Sequence, residues 1–121
     1  MFDTDVLIDH LLGKVGATKT ILKFKNTANF CSVITIGEIL FGMRPSEKDK
    51  TLKLIDSLTP LDVNKKIITD AYKIKNSCKS YNPGLYDCII AATAIEADLI
   101  LVTKNSKHYP DKRLKLFIPE Y

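Results

Sequence analysis

The chain has 121 residues, of which 45% are hydrophobic and 26% charged, with a net charge of +4. One domain's length with that apolar content buries a core without disulfides or a structural metal, and no segment is low enough in complexity to be disordered. No apolar run approaches the roughly 20 residues that span a bilayer. The opening MFDTDVLIDHLLGK has no basic stretch before its apolar part and is interrupted by Asp3, Asp5 and Asp9, so it is not a secretory signal. The expectation is one soluble, cytoplasmic domain over residues 1–121.

Met1 and Phe2 form a stub of strand before Asp3, and Thr4, Asp5 and Val6 lead into an amphipathic stretch with Leu7, Ile8, Leu11 and Leu12. Asn29 to Ile34 is short, apolar and rich in β-formers, as buried parallel strands are. Ser46 to Leu58 reads as a helix with Leu52, Ile55 and Leu58 inward, ended by Pro60 and followed by a short strand from Leu61 to Val63. Ile67, Ala71, Ile74 and Cys78 recur at helical spacing, with Lys65, Lys66, Lys73 and Lys75 mostly on the other face. Asn82, Pro83 and Gly84 punctuate the chain, and the nearly all-apolar helix after them, reaching Ala97, must be central and covered. Asp98 to Thr103 (DLILVT) is a further strand and Leu116 to Ile118 another. Strands alternating with helices, and no hairpin signal, predict an α/β domain with a central, mostly parallel sheet. Cys31, Cys78 and Cys88 lack metal-ligand spacing and sit among apolar neighbours, so free thiols in a reducing compartment are expected.

In open parallel sheets ligands bind beyond the carboxyl ends of the strands, which draws attention to the acids there. Asp3 follows the first stub. Asp5 is close behind, and either carboxylate could simply cap the first helix. Glu38 interrupts the apolar segment SVITIGEILFG, where a carboxylate needs solvent, a partner or a metal. Asp87 opens the apolar helix, where favourable interaction with the helix dipole alone would explain it. Asn105 and Ser106 follow a strand and suit a turn as well as a site. Together these residues border separate strand-to-helix junctions, and their oxygens suit a hard divalent cation, Mg²⁺ or Mn²⁺. The basic residues Lys104, Lys107, Lys112 and Arg113 cluster near the end of the chain and are the expected footprint of a nucleic acid.

The segments DTDVLI, SVITIGEILFG and YDCIIAATAIEADLILVTKN, in this order, resemble the PIN-domain family, and within it the VapC-type toxins of toxin–antitoxin pairs. The closing LKLFIPEY resembles the family's last strand. The resemblance implies a three-layer α/β/α fold, homodimers, and an antitoxin of the VapB type whose C-terminal segment covers the site. It also implies hydrolysis of RNA with Mg²⁺ or Mn²⁺ held by Asp3, Glu38 and Asp87, supported by Thr4, Asp5, Ser32, Thr103 and Asn105. Two departures stand out: many relatives carry a fourth acid where this chain has Asn105 and His108, and the first strand is only two residues long. Two other readings remain open. A degenerate PIN fold would bind RNA or a partner without cutting. The DxDx(T/V)-like opening Asp3-Thr4-Asp5-Val6 also suits a haloacid-dehalogenase-type phosphatase, although such an enzyme needs a strong strand before it and a paired acid later.

Overall fold

The computed structural model describes Met1–Tyr121. Strand β1 (Phe30–Ser32) pairs in parallel with β2 (Thr59–Leu61), and β3 (Ile100–Val102) with β4 (Lys115–Phe117). The Met1–Phe2 stub joins the two pairs: Phe2 N–H donates to Phe30 O at 2.8 Å, while Asp3 N–H donates to Val102 O and Val102 N–H to Met1 O, each at 2.9 Å. The spatial order is therefore β2, β1, stub, β3, β4.

Side chains alternate across this sheet with the period of two that pleating imposes. Met1, Phe30, Leu101 and Leu116 pack on one face with α5 (Lys65–Ser77) and α6 (Leu85–Glu96). Phe2, Cys31, Val102 and Phe117 pack on the other, against α1 (Thr4–Leu11), α3 (Val33–Gly42) and α4 (Lys48–Asp56). The result is the expected three-layer α/β/α arrangement. Every residue of α6 from Cys88 to Ala94 is buried, as its nearly all-apolar sequence requires, and the one polar side chain among them, Thr93, donates to Ile89 O at 2.7 Å. Fully burying a side chain such as Leu7 or Ile90 contributes about 1.5–3 kcal/mol.

The helix ends have local causes. Ser32 caps α3 by accepting from Ile34 N–H at 3.1 Å, and Asn64 caps α5 by accepting from Ile67 N–H at 2.9 Å. Gly13 (φ 83°) and Asp98 (φ 52°) close α1 and α6 in the left-handed region. In each case the next N–H reaches back to the final turn, Lys14 to Asp9 O and Leu99 to Ala94 O, both at 3.0 Å.

Several boundaries differ from the sequence expectation. The strand predicted over Asn29–Ile34 is confined to β1, because Ser32 already caps α3. The strand expected over Leu61–Val63 lies two residues earlier and contains Pro60. Proline is tolerated there because Thr59 N–H points to Asn29 O, and the alternation turns the Pro60 nitrogen to the open edge. Helix α2 (Val15–Lys23), which packs on α1, was not anticipated: its buried residues are only Ala17 and Thr20. The three cysteines are free, Cys31 and Cys88 buried and Cys78 partly so. No helix is long and apolar enough to cross a membrane.

Gly16 of α2 lies against the closing segment so tightly that a Cβ there would overlap Cβ and Cγ of Tyr121. Gly16→Ala should therefore lower stability by about 1–3 kcal/mol, despite alanine's better helix propensity. Urea unfolding at constant m-value measures this; a variant as stable as wild type would show that the closing segment moves aside at no cost.

Candidate functional site

Three chain segments meet where the central strands end. Asp3 follows the stub, Thr103 follows β3, and the loop from Thr103 to β4 carries Tyr109 back over both. Asp3 is 5% exposed, and its carboxylate accepts three hydrogen bonds. Thr4 N–H donates to Oδ1 at 2.8 Å, so the residue does cap α1, while the Thr103 and Tyr109 hydroxyls donate to Oδ2 at 2.8 and 2.9 Å. Those donors favour the charged form, but burial first and the nearby charge of Asp5 second outweigh them and push the Asp3 pKa up to about 6. Asp5 accepts from Val6 N–H at 2.6 Å and from Lys104 N–H at 2.9 Å, and burial raises its pKa too. The Thr103 hydroxyl has one proton for two acids, 2.8 Å from Asp3 and 3.3 Å from Asp5.

Glu38 lies on α3, partly exposed, and its Oε1 accepts from the Thr4 hydroxyl at 2.8 Å. The fully buried Thr35, one turn earlier on the same face, lies 3.0 Å from that hydroxyl. Asp87, in the first turn of α6, has its Oδ1 3.5 Å from the Tyr109 hydroxyl and its Oδ2 3.4 Å from His108 Nδ1. The Tyr109 hydroxyl therefore reaches both Asp3 and Asp87. Burial, followed by the charges of Asp3 and Asp87, raises the phenol's pKa, which keeps it a proton donor.

The three expected acids thus share one end of the sheet, but they do not form a closed cage. No three Asp, Glu, His or Cys side chains converge tightly enough to surround one ion. Hydroxyls stand between the acids instead: Thr4 bonds Asp3 through its N–H and Glu38 through its hydroxyl, and Tyr109 spans Asp3 and Asp87. The donor set is nonetheless all oxygen, and a divalent cation would offset both causes of the raised Asp3 pKa, burial of the carboxylate first and the neighbouring Asp5 charge second.

Of the expected supporting residues, Thr4, Asp5 and Thr103 touch the acids as described. Ser32 does not: its hydroxyl accepts from Ile34 N–H in the α3 cap and bonds none of the acids. Asn105 takes part through its backbone N–H, which donates to the Thr103 hydroxyl at 3.0 Å. The basic footprint is only partly realised. The Lys104 ammonium donates to Tyr121 O at 2.6 Å and lies 4.0 Å over that ring. Arg113 makes a two-pronged pair with Asp111 and borders Ala92, Ile95 and Glu96, roughly 12 Å along α6 from Asp87. Lys107 and Lys112 are exposed. Sequence reasoning missed Thr35 and Tyr109. Thr35 was signalled by its spacing of three from Glu38; Tyr109 was hidden in a segment read only for its charge.

The PIN domain family model matches residues 1–111. The chain belongs to the PIN-domain family. Ribonuclease VapC10 of Mycobacterium tuberculosis is 34% identical over 113 residues, covering 91% of this chain and 85% of the relative. A toxin–antitoxin complex from Klebsiella pneumoniae contains a chain that superposes with a TM-score of 0.79 at 25% identity, covering 92% of this chain and 90% of that one. VapBC2 from Rickettsia felis, bound to a DNA fragment from its promoter, superposes with a TM-score of 0.83 at 19% identity, covering 99% and 98%. As a PIN domain, the chain has no call on the haloacid-dehalogenase alternative.

The raised Asp3 pKa fixes a pH dependence. The folded protein holds a proton near pH 5 that the unfolded chain, with an ordinary value of 3.8, has mostly released. This contribution is fully present below pH 4 and is lost as pH rises through about 6, on the order of 3 kcal/mol in all. Thermal unfolding in chelator between pH 4 and 7 should show stability falling with pH, and Asp3→Asn should flatten that slope. Equal slopes in the two proteins would mean that Asp3 ionises as an exposed carboxylate does.

Proposed function

We propose that this PIN domain is a metal-dependent endoribonuclease, the toxin of a type II toxin–antitoxin pair, hydrolysing RNA phosphodiesters with water as nucleophile. The observation that carries this reading is the buried Asp3 carboxylate, held at the end of the central stub with Asp87 and Glu38 on neighbouring helices. The similarity to proteins named ribonucleases supports the choice of substrate.

Asp3 and Asp87 would hold Mg²⁺ or Mn²⁺ directly, and Glu38 as a ligand or through water, a set of few carboxylates that suits a cation retaining several waters. Such an ion supplies a nucleophile from water at neutral pH and offsets the negative charge of the phosphodiester. The chain's own groups do the rest. Oε1 of Glu38 is held by Thr4, which fixes the carboxylate so that Oε2 orients the attacking water. Thr103 and Asp5 steady Asp3 and the backbone of the loop behind it. The oxygen of water attacks phosphorus and gives up a proton to solvent, the bond from phosphorus to the leaving oxygen breaks, and solvent supplies a proton to that oxygen. Lys107 and Lys112, exposed on the same loop, draw the polyanion in, and affinity falls steeply with salt.

An antitoxin of the VapB type is the partner this reading requires, and homodimers are part of it. The surface beside Glu38 supports a protein ligand: Val33, Ile34, Gly37, Phe41 and Tyr86 line an apolar groove of about 400 Å³ that Glu38 borders. Phe41 on its rim is 97% exposed, which is costly in water and natural under a partner. A second reading, a PIN fold that binds RNA without cutting, is favoured by the absence of a closed acid cage.

Asp87→Asn separates these readings. It should leave the unfolding temperature within about 5 °C, since the dipole interaction at stake is about 0.3–1 kcal/mol. It should lower Mn²⁺-dependent cleavage of total RNA by more than about 100-fold, the upper range for groups that only support a metal ligand. Cleavage at the wild-type rate and equal folded fraction would remove Asp87 from the site. Wild-type protein that binds RNA but never cuts it with Mn²⁺ would establish the binding module.

A further inference from the structure

We propose that Tyr109 positions the acidic pair: its hydroxyl pins Asp3 and reaches Asp87, turning Oδ1 of Asp3 toward a divalent cation. This inference rests on reading the site as a cation centre.

An ionised carboxylate has about four lone-pair sites, two on each oxygen. Oδ2 of Asp3 is filled, by the Thr103 hydroxyl at 2.8 Å and the Tyr109 hydroxyl at 2.9 Å. Oδ1 takes only Thr4 N–H, at 2.8 Å, so one site on this oxygen is left for a ligand. With three donors attached, the carboxylate cannot turn about its bond to the chain without breaking hydrogen bonds in a buried place, where each is costly to lose. Asp3 and Asp87 sit on different elements, the N-terminal stub and α6, and no side chain except Tyr109 bonds Asp3 and also reaches Asp87. The phenol is itself well anchored. It is 3% exposed, and its ring belongs to the core cluster with Ile74, Cys88 and Ala91. The single phenolic proton goes to Asp3 at 2.9 Å, and Asp87 Oδ1 stands 3.5 Å from the same oxygen, so a rigid, buried ring sets how Asp3 is turned and where it faces Asp87.

Tyr109→Phe keeps the packed ring and removes only the hydroxyl. Mn²⁺ binding, followed by the loss of the free-ion electron paramagnetic resonance signal, should weaken by about 10- to 100-fold, the range for groups that orient metal ligands. Cleavage of RNA by the variant should be slow at low Mn²⁺ and return close to the wild-type kcat at saturating Mn²⁺, because the acids themselves are intact. A hydroxyl needed only for stability would lower the unfolding temperature equally with and without Mn²⁺ and leave the binding curve in place. Superimposable Mn²⁺ titrations of wild type and variant would overturn the proposal, while loss of binding in Asp87→Asn would leave the reading of the site standing. Wild-type protein that takes up no Mn²⁺ would overturn both.

Discussion

The two-residue stub at the start of the chain holds the molecule together. Its backbone is bonded on both sides, to Phe30 and to Val102, and its two side chains go to opposite cores, Met1 against α5 and α6 and Phe2 against α1, α3 and α4. Because side chains alternate along a strand, a slip of one residue would exchange Met1 and Phe2 and carry Asp3 to the wrong face. The same backbone bonds that close the sheet therefore locate the site's most buried acid.

Architecture was legible where apolar residues recur with a clear period. The helix at Leu85–Glu96 could be recognised because seven consecutive buried residues leave it no solvent face, and the helix at Lys65–Ser77 because Ile67, Ala71 and Ile74 keep to one side. The strands were legible as places but not as spans. Each is three residues long, too short for a period of two to mark its ends, and at Ser32 the cap of the next helix cuts the apolar run in two. Helix α2 escaped because its inner face is made of Ala17 and Thr20, one too small and the other too polar to mark an apolar side in the sequence.

The acids stood out in the sequence because a carboxylate among apolar neighbours demands a reason. Their connections did not, since hydroxyls make them across large separations in sequence. Tyr109 is 106 residues from Asp3 and Thr103 is 100, and nothing local announces either contact. The basic stretch misled for the opposite reason. Its charges were read as available, although Asp111 lies two residues from Arg113 and takes it, and Lys104 folds back onto Tyr121.

The edges of the sheet bear on how copies of this protein meet. At one edge the strand Thr59–Leu61 turns the nitrogen of Pro60 outward, so the position where an incoming strand would look for a donor has none. At the other, Lys115–Phe117 is equally short and begins with an exposed lysine tied to Asp98. Short strands, proline and lysine are the features by which sheets resist growing from molecule to molecule. Two copies that associate would do so through helices and loops, because neither edge offers a long, open ladder on which further copies could build.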